Sequence, residues 1–167
     1  MSLALVSAMG VPFHVRHVGE GPLRGELEEL AKRAGVERLI QFLGVRTDVP
    51  ELLADSAFLV HTAEDEGCPN VVMEAMACGR AVIAMDAGDT PVLVEDGKTG
   101  FVVRRGDVTT FAERMVQLLS NHELCCRMGL AARQKAEREY GLNRLVAETL
   151  AAYKDAGWKD SRIEVLQ

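Results

Sequence analysis

The sequence predicts an α/β fold in which a parallel sheet is flanked by helices. Short apolar runs alternate with stretches of helical periodicity, which is the pattern of strands joined by crossover helices. The chain has 167 residues, of which 48% are hydrophobic and 26% charged, as in one folded domain with a real core. These observations favour a single α/β domain.

The first half of the chain alternates strictly between the two element types. Strands are predicted at 13–18, 38–43, 57–61 and 81–85, and helices at 23–34, 48–54 and 69–78. Leu27, Leu30 and Ala31 are expected to face inward. Asp48 is the predicted N-cap of the second helix, which has proline in its first turn.

The second half is predicted to be mostly helical. A loop at 86–91 and short extended pieces at 93–103 precede helices at 111–119, 122–139 and 142–153. Residues 1–155 are expected to form the domain, and residues 156–167 a polar tail whose Trp158 docks on this domain or on a partner domain. The first ten residues are typical of the end of a helix, and no strand precedes them, so the chain is expected to be a fragment.

Charge and cysteine content exclude several function classes. A net charge of -6 argues against binding to nucleic acid or to anionic membranes in general. No signal peptide or membrane-spanning run is apparent. The four cysteines and four histidines lack metal-ligand spacing, so neither a metal nor another cofactor is expected, and reduced thiols indicate a cytoplasmic protein.

Residues 66–79, EGCPNVVMEAMACG, are the most informative segment. If the helix begins at Pro69, Glu66 precedes it and Glu74 lies one to two turns inside, tilted back toward the start. The amides of residues 70–72 would then be free to hold a phosphate. Such carboxylates could accept hydrogen bonds from sugar hydroxyls, whereas the simpler interpretation makes both of them solvated surface charges.

The segment EGCPNVVMEAMACGRAVIAMDAG closely resembles the nucleotide-sugar segment of glycosyltransferase family 4, the group 1 retaining glycosyltransferases. Glu66 and Glu74 match the two glutamates of the E-x7-E pattern in register. VGEGPLRGELEELA and IQFLGVRTDVPELLADSAFLV are similar to the preceding family blocks, and VEDGKTGFVV is similar to the following one.

The resemblance implies the C-terminal, Rossmann-like half of a GT-B enzyme, which holds a nucleotide-diphosphate sugar. Glu66 would contact the hydroxyls of the donor sugar as the catalytic residue, and Glu74 those of the ribose. Backbone around Gly67, Cys68, Pro69, Asn70 and Val71 would approach the diphosphate, and Gly44 and Val45 the base. Loops 44–48, 62–68 and 86–91 all follow strands, so they should share the carboxyl edge of the sheet.

The resemblance also implies that parts of the enzyme lie outside this chain. The acceptor, a sugar or lipid-linked glycan, would bind a missing N-terminal domain, which would also carry any peripheral membrane association. The cationic residues for the diphosphate and the first, central strand would lie upstream. Loss of that strand is expected to leave a gap or to force the neighbouring strands together. The isolated chain is therefore expected to bind donor weakly or not at all, and to be inactive.

Several residues depart from the family pattern or leave alternatives open. Asp89 and Val92 replace a glycine and a glutamate of the family, which puts in doubt a sugar contact from that loop. His61 is favoured as a packed or half-exposed residue over a catalytic one. Arg104 and Arg105 could contact phosphate but are favoured as surface charges. The rival functions are a sugar-nucleotide epimerase of the same architecture and a non-catalytic Rossmann-like interaction module.

Overall fold

The computed structural model describes residues 1–158 of the chain. Five parallel strands lie in two sheets of strand order β1–β2 and β3–β4–β5. The strands are β1 (Val15–Val18), β2 (Ile40–Gly44), β3 (Phe58–His61), β4 (Ala81–Met85) and β5 (Gly100–Val103). No ladder joins the two sheets within the described residues, which agrees with the predicted gap between strands.

Eight α-helices and one 3₁₀ turn (Glu37–Leu39) connect and flank the strands of the described part. The helices of the first half are α1 (Ser2–Ala8), α2 (Arg24–Arg33), α3 (Val49–Ala54) and α4 (Asn70–Ala77). Those of the second half are α5 (Thr90–Leu93), α6 (Val108–Ser120), α7 (His122–Glu139) and α8 (Leu142–Asp155). None of these helices is long and apolar enough to cross a membrane.

Strand β4 is the centre of the core. Its side chains alternate between two apolar clusters, with Ala81 and Ile83 on one face and Val82 and Ala84 on the other. All four are fully buried, because α6 and α7 contribute to the first cluster and α4 and α7 to the second. Burial on both faces explains why β4 is a continuous apolar run rather than an alternating one.

The turn between α4 and β4 is fixed by two glycines. Gly79, with φ +70°, ends α4: its own N–H donates to Met76 O, and the next residue's N–H donates to Ala75 O. A Cβ on Gly129 of α7 would lie 2.2 Å from Gly79 O. Helix α7 can therefore cross this turn at backbone contact only because position 129 has no side chain.

The short extended pieces predicted at 93–103 are present, since Val94 is extended and β5 follows the turn, although Leu93 itself is the last residue of α5. Two other expectations about elements are wrong. Residues 86–91 are not all loop, because α5 begins at Thr90, whose hydroxyl donates to the Met85 and Ala87 carbonyls. In α2 only Ala31 is buried, since Leu27 and Leu30 are 39% and 40% exposed.

The end of the chain is partly outside the described residues. Helix α8 has no buried residue, and Trp158 packs edge-on against Tyr153 of the same segment, with ring centroids 5.5 Å apart. Trp158 is 44% exposed, so its contact with Tyr153, near the end of the predicted domain 1–155, covers only part of the side chain. Docking on a partner domain stays a prediction. Residues 159–167 of the predicted tail lie beyond the described part.

Candidate functional site

The candidate site is built from the segments that follow β3 and β4. Both strands run parallel and are neighbours, so the residues after His61 and after Met85 emerge at the same edge of the sheet. The Asp89 N–H donates to Gly67 O over 2.8 Å. This bond joins residues 62–69 to residues 86–89, as the shared carboxyl edge predicts.

Gly88 brings these two segments into direct backbone contact. Its φ is +51°, and a Cβ at this position would lie 2.1 Å from Glu66 O and 2.4 Å from Gly67 O. Only glycine satisfies both the left-handed backbone and this approach. The backbone of the predicted catalytic Glu66 thus rests on the loop after β4.

Helix α4 begins one residue later than predicted. Pro69 is the N-cap, with extended backbone (φ -73°, ψ 109°), and Asn70 is the first helical residue. The Val72 N–H donates to Pro69 O and is not free, contrary to expectation. Asn70 and Val71 keep N–H groups without an acceptor among the described residues, and no side chain caps this end. Two free amides therefore point out of the helix start.

The two glutamates flank this helix start. Glu66 lies three residues before the N-cap Pro69, with 32% of its side chain exposed, and Glu74 lies in the second turn, exposed. Glu74 has no ion pair or side-chain hydrogen bond among the described residues, so its charge is solvated rather than buried on the apolar segment. Gly67 and Cys68 are exposed and Pro69 is buried, so the backbone between the carboxylates is open to solvent.

His61 lies beneath Glu66. Its side chain is 12% exposed, and Nε2 is 3.5 Å from Glu66 Oε1, too long for a good hydrogen bond. Nε2 is buried without a hydrogen-bond partner among residues 1–158. Burial lowers the pKa of His61, and the Glu66 carboxylate opposes this shift. The prediction of a packed histidine is confirmed, and the imidazole is neutral at neutral pH.

Arg104 and Arg105 follow β5, which pairs in parallel with β4, so they lie at the same edge of the sheet as Glu66. Nη2 of Arg105 is 3.5 Å from Oδ1 of Asp65, and the two side chains are 50% and 99% exposed. This exposure agrees with the prediction of surface charges. A contact with phosphate, which the sequence left open, stays a prediction.

The predicted base-proximal residues belong to the loop after β2. Gly44, with φ +67°, accepts from the Gly19 N–H over 2.8 Å, and Val45 is 77% exposed. A Cβ on Gly44 would lie 3.4 Å from Glu20 Oε2 and 3.7 Å from Arg24 Nη1. Within the described residues no hydrogen bond or ion pair joins residues 44–48 to residues 62–68. Direct contacts thus join two of the three predicted loops, and the role of Gly44 and Val45 stays a prediction.

No group of three or more metal-ligating side chains occurs in the described part of the chain. The arrangement instead offers hydrogen bonds: two amide donors at a helix start, with a carboxylate acceptor on each side. Amides at a helix start bind anions, and carboxylates accept from hydroxyls. The geometry suits a ligand that carries phosphate between hydroxyl-bearing groups.

Comparison with known proteins shows which family the chain matches. Residues 2–121 match the family described as Glycosyl transferases group 1. The chain is 34% identical over 138 residues to N-acetyl-alpha-D-glucosaminyl L-malate synthase of Bacillus anthracis, covering 83% of this chain and 36% of the relative. It is 34% identical over 143 residues to D-inositol 3-phosphate glycosyltransferase of Streptomyces bingchenggensis, covering 83% and 31%. The chain thus spans about a third of the length of these curated relatives.

Solved structures of other proteins share the fold of this chain. Anabaena HepE, in complex with UDP and glucose, superposes with a TM-score of 0.79 at 28% identity, covering 90% of this chain and 44% of that one. Staphylococcus aureus TarM superposes with a TM-score of 0.84 at 24% identity, covering 90% and 30%, and supports the fold alone. The α/β architecture with parallel sheets is therefore shared with these proteins.

Proposed function

Because the chain belongs to the group 1 family of glycosyl transferases, we propose that it is the donor-binding portion of a retaining glycosyltransferase. The full enzyme passes a glycosyl group from a nucleotide-diphosphate sugar to an acceptor hydroxyl. One observation carries the proposal: Glu66 and Glu74 flank the free Asn70 and Val71 amides at the start of α4. The HepE complex with UDP-glucose supports the class of donor.

Each group has one role in this proposal. The Asn70 and Val71 N–H groups, with the exposed backbone of Gly67 and Cys68, approach the diphosphate. Glu74 accepts from the ribose hydroxyls, and hydrogen bonds to a charged acceptor contribute about 1.5–3 kcal/mol each. Gly44 and Val45 lie near the base.

Glu66 holds the hydroxyls of the donor sugar and stabilises the positive charge that develops on it. Its backbone is fixed by Gly88 and by the Asp89-to-Gly67 hydrogen bond. In this proposal no protein nucleophile takes part. The leaving phosphate assists deprotonation of the acceptor on the same face of the sugar, so the anomeric configuration is kept.

The remaining parts of the enzyme belong to the same proposal. The acceptor, a sugar or lipid-linked glycan, binds an N-terminal domain that also carries any contact with a membrane. Residues 1–155 form the donor domain and residues 156–167 a tail. A cytoplasmic location is supported by the four cysteines of the chain, none of which is in a disulfide.

Donor binding is tested by titrating the ¹⁵N-labelled chain with UDP-, GDP- and ADP-sugars, since NMR detects weak binding. We expect the amide signals of Asn70, Val71 and Gly67 to shift with one of these donors. Amides of α6, on the other side of the core, serve as the internal control. Because the isolated chain is expected to bind donor weakly or not at all, the same titration is repeated on the full-length enzyme. Unmoved signals at millimolar donor in both would contradict the proposal and favour the interaction module.

Two substitutions separate the sugar contact from the nucleotide contact. Glu66→Gln should weaken binding of the nucleotide sugar more than that of the free nucleotide diphosphate, whereas Glu74→Gln should weaken both about tenfold. Glu64→Gln, an exposed residue of the same loop, is the matched control. In the full-length enzyme, Glu66→Ala should lower turnover sharply. Release or rearrangement of the sugar without acceptor would instead indicate the epimerase.

A further inference from the structure

A second cleft lies at the opposite edge of the β3–β4–β5 sheet from the donor loops. It has a volume of about 370 Å³ and is formed where α7 crosses the turn between α4 and β4. Its polar lining consists of three thiols, an imidazole and two guanidinium groups, from Cys78, Arg80, His122, Cys125, Cys126 and Arg133. The proposed function uses none of these side chains.

Cys126 and His122 are paired on one face of α7. They are four residues apart, so their side chains are neighbours on the helix, and Cys126 Sγ lies 3.4 Å from His122 Nε2. Both residues are exposed. An imidazole at this distance can accept the thiol proton as a general base, which leaves the nucleophilic thiolate.

The adjacent Cys125 is built differently, although it lines the same cleft. It is 6% exposed, and its S–H donates to Ala57 O over 3.3 Å. Burial raises the pKa of the Cys125 thiol, with a smaller contribution from Cys126. Cys125 is therefore a packed, unreactive thiol, whereas its neighbour Cys126 is exposed.

The two arginines give the cleft its charge. Arg80 donates from Nη1 to Ser56 O over 3.0 Å and from Nε to Cys78 O over 3.2 Å. Arg133 donates from Nη1 to Ala77 O and from Nε to Glu137. In each guanidinium group Nη2 has no acceptor among the described residues. Each guanidinium group is thus fixed by its hydrogen bonds and keeps Nη2 as a donor, so the two groups can bind carboxylates.

We propose that Cys126 is a thiol–disulfide exchange site for low-molecular-weight disulfides that carry carboxylates. His122 Nε2 takes the proton from Cys126 Sγ, and the thiolate attacks one sulfur of the disulfide. A bond forms between Sγ and that sulfur while the original S–S bond breaks. The Cys126 sulfur is oxidised to the disulfide level, and the displaced sulfur leaves as a thiolate that takes up the proton.

The test compares thiols within the chain at neutral pH. The chain is incubated with excess oxidised glutathione, which carries carboxylates, or with cystamine, which carries ammonium groups, and each adduct is located by peptide mass spectrometry. Cys126 should react with oxidised glutathione at least about threefold faster than Cys68, which is an exposed thiol without an imidazole contact among the described residues. Cys125 should stay unmodified in the folded chain.

Two variants test the parts of the site. His122→Asn should reduce the Cys126 rate to that of Cys68 with both reagents, whereas Arg133→Gln should slow the reaction with glutathione and not with cystamine. Added salt should also slow the glutathione reaction of the unaltered chain and not slow the cystamine reaction. Equal rates at Cys126 and Cys68, or an unchanged rate in His122→Asn, would overturn the proposal. If Arg133→Gln and added salt each change the rates of Cys126 with oxidised glutathione and with cystamine equally, the proposed preference for carboxylates is overturned.

Discussion

Gly88 controls the shape of the candidate site although it lies outside the segment that carries the two glutamates. The carbonyls of Glu66 and Gly67 lie where a side chain at position 88 would begin, at 2.1 and 2.4 Å. Because both neighbours are backbone atoms, they cannot move aside by a rotamer change. Any side chain at this position must displace residues 62–69 or the loop after β4.

Gly88→Ala should therefore lower the free energy of unfolding by about 3 kcal/mol, the sum of left-handed strain and a backbone clash. Gly97→Ala is the matched control, because Gly97 has a similar φ of +75° but nothing within 4 Å of its Cβ position. It should cost only about 1 kcal/mol, the strain alone. Urea denaturation measures both variants, and equal losses would show that the contact with Glu66 does not constrain the fold.

His61 makes stability depend on pH near neutrality. Burial lowers its pKa below the ordinary 6.5, with Glu66 opposing. The unfolded chain therefore binds the proton more readily, so stability is lost as the pH falls below about 6.5. In His61→Leu the unfolding free energy should change less between about pH 7 and 5 than in the unaltered chain. Above pH 7 the two slopes should agree, and an unchanged slope below it would contradict this account.

The sequence predicts the residues of the site better than their contacts. The spacing of Glu66 and Glu74 around a helix start is present, with the start one residue later than expected. Gly88 was missed because its role depends on which strands are neighbours. That order follows from long-range pairing, which local periodicity does not encode.

Lys135 is the residue through which α7 holds the segment after α5. It is 6% exposed, and its Nζ donates to Val92 O over 2.7 Å, with Glu95 and Glu139 carboxylates at 3.5 and 3.8 Å. Lys98 also contacts Glu95, over 2.6 Å, and is the largest cause of the lowered pKa of Glu95. Lys98 is 66% exposed, however, so solvent screens its contribution to stability.

Lys135→Met should lower the free energy of unfolding by about 2 kcal/mol, since it removes the donor to the Val92 carbonyl and a buried cation beside the Glu95 and Glu139 carboxylates. The matched control is Lys98→Met, which removes a pair with the same Glu95 at the surface. It should change the unfolding free energy by less than about 0.5 kcal/mol. Equal effects in chemical denaturation would show that α7 is not held through Lys135.

At the scale of elements, the bounds of a helix were predicted correctly where a strong helical periodicity and a capping residue coincided. Helix α7 has the predicted bounds, because Asn121 caps it by accepting from the Leu124 N–H and a long amphipathic run follows. Helix α5 was missed because a four-residue helix has no periodicity to detect, and it is set up by Thr90. The outward leucines of α2 show that periodicity indicates a helix but not what covers its apolar face.

The two sheets divide the described part of the molecule into unequal halves. Strand β4 has strand partners on both sides and is fully buried along Ala81 to Ala84, whereas β1 and β2 pair only with each other. Arg16 links β1 to the end of α3, donating to Asp55, Ser56 and the Leu52 carbonyl. Arg16 thus ties β1 to the end of α3 and to the residues that lead into β3.

Native-state hydrogen exchange should therefore resolve two levels of protection. Amides of β1 and β2 should exchange at least about tenfold faster than those of β4, through an opening that exposes fewer apolar side chains than global unfolding does. Arg16→Met should widen this difference, because it removes the link to α3 and leaves β4 unchanged. Arg38→Gln, an exposed arginine just before β2, is the control and should leave both levels in place. If β1, β2 and β4 exchange at one rate and respond equally to Arg16→Met, the two sheets unfold as one cooperative unit, and the break between them has no energetic consequence.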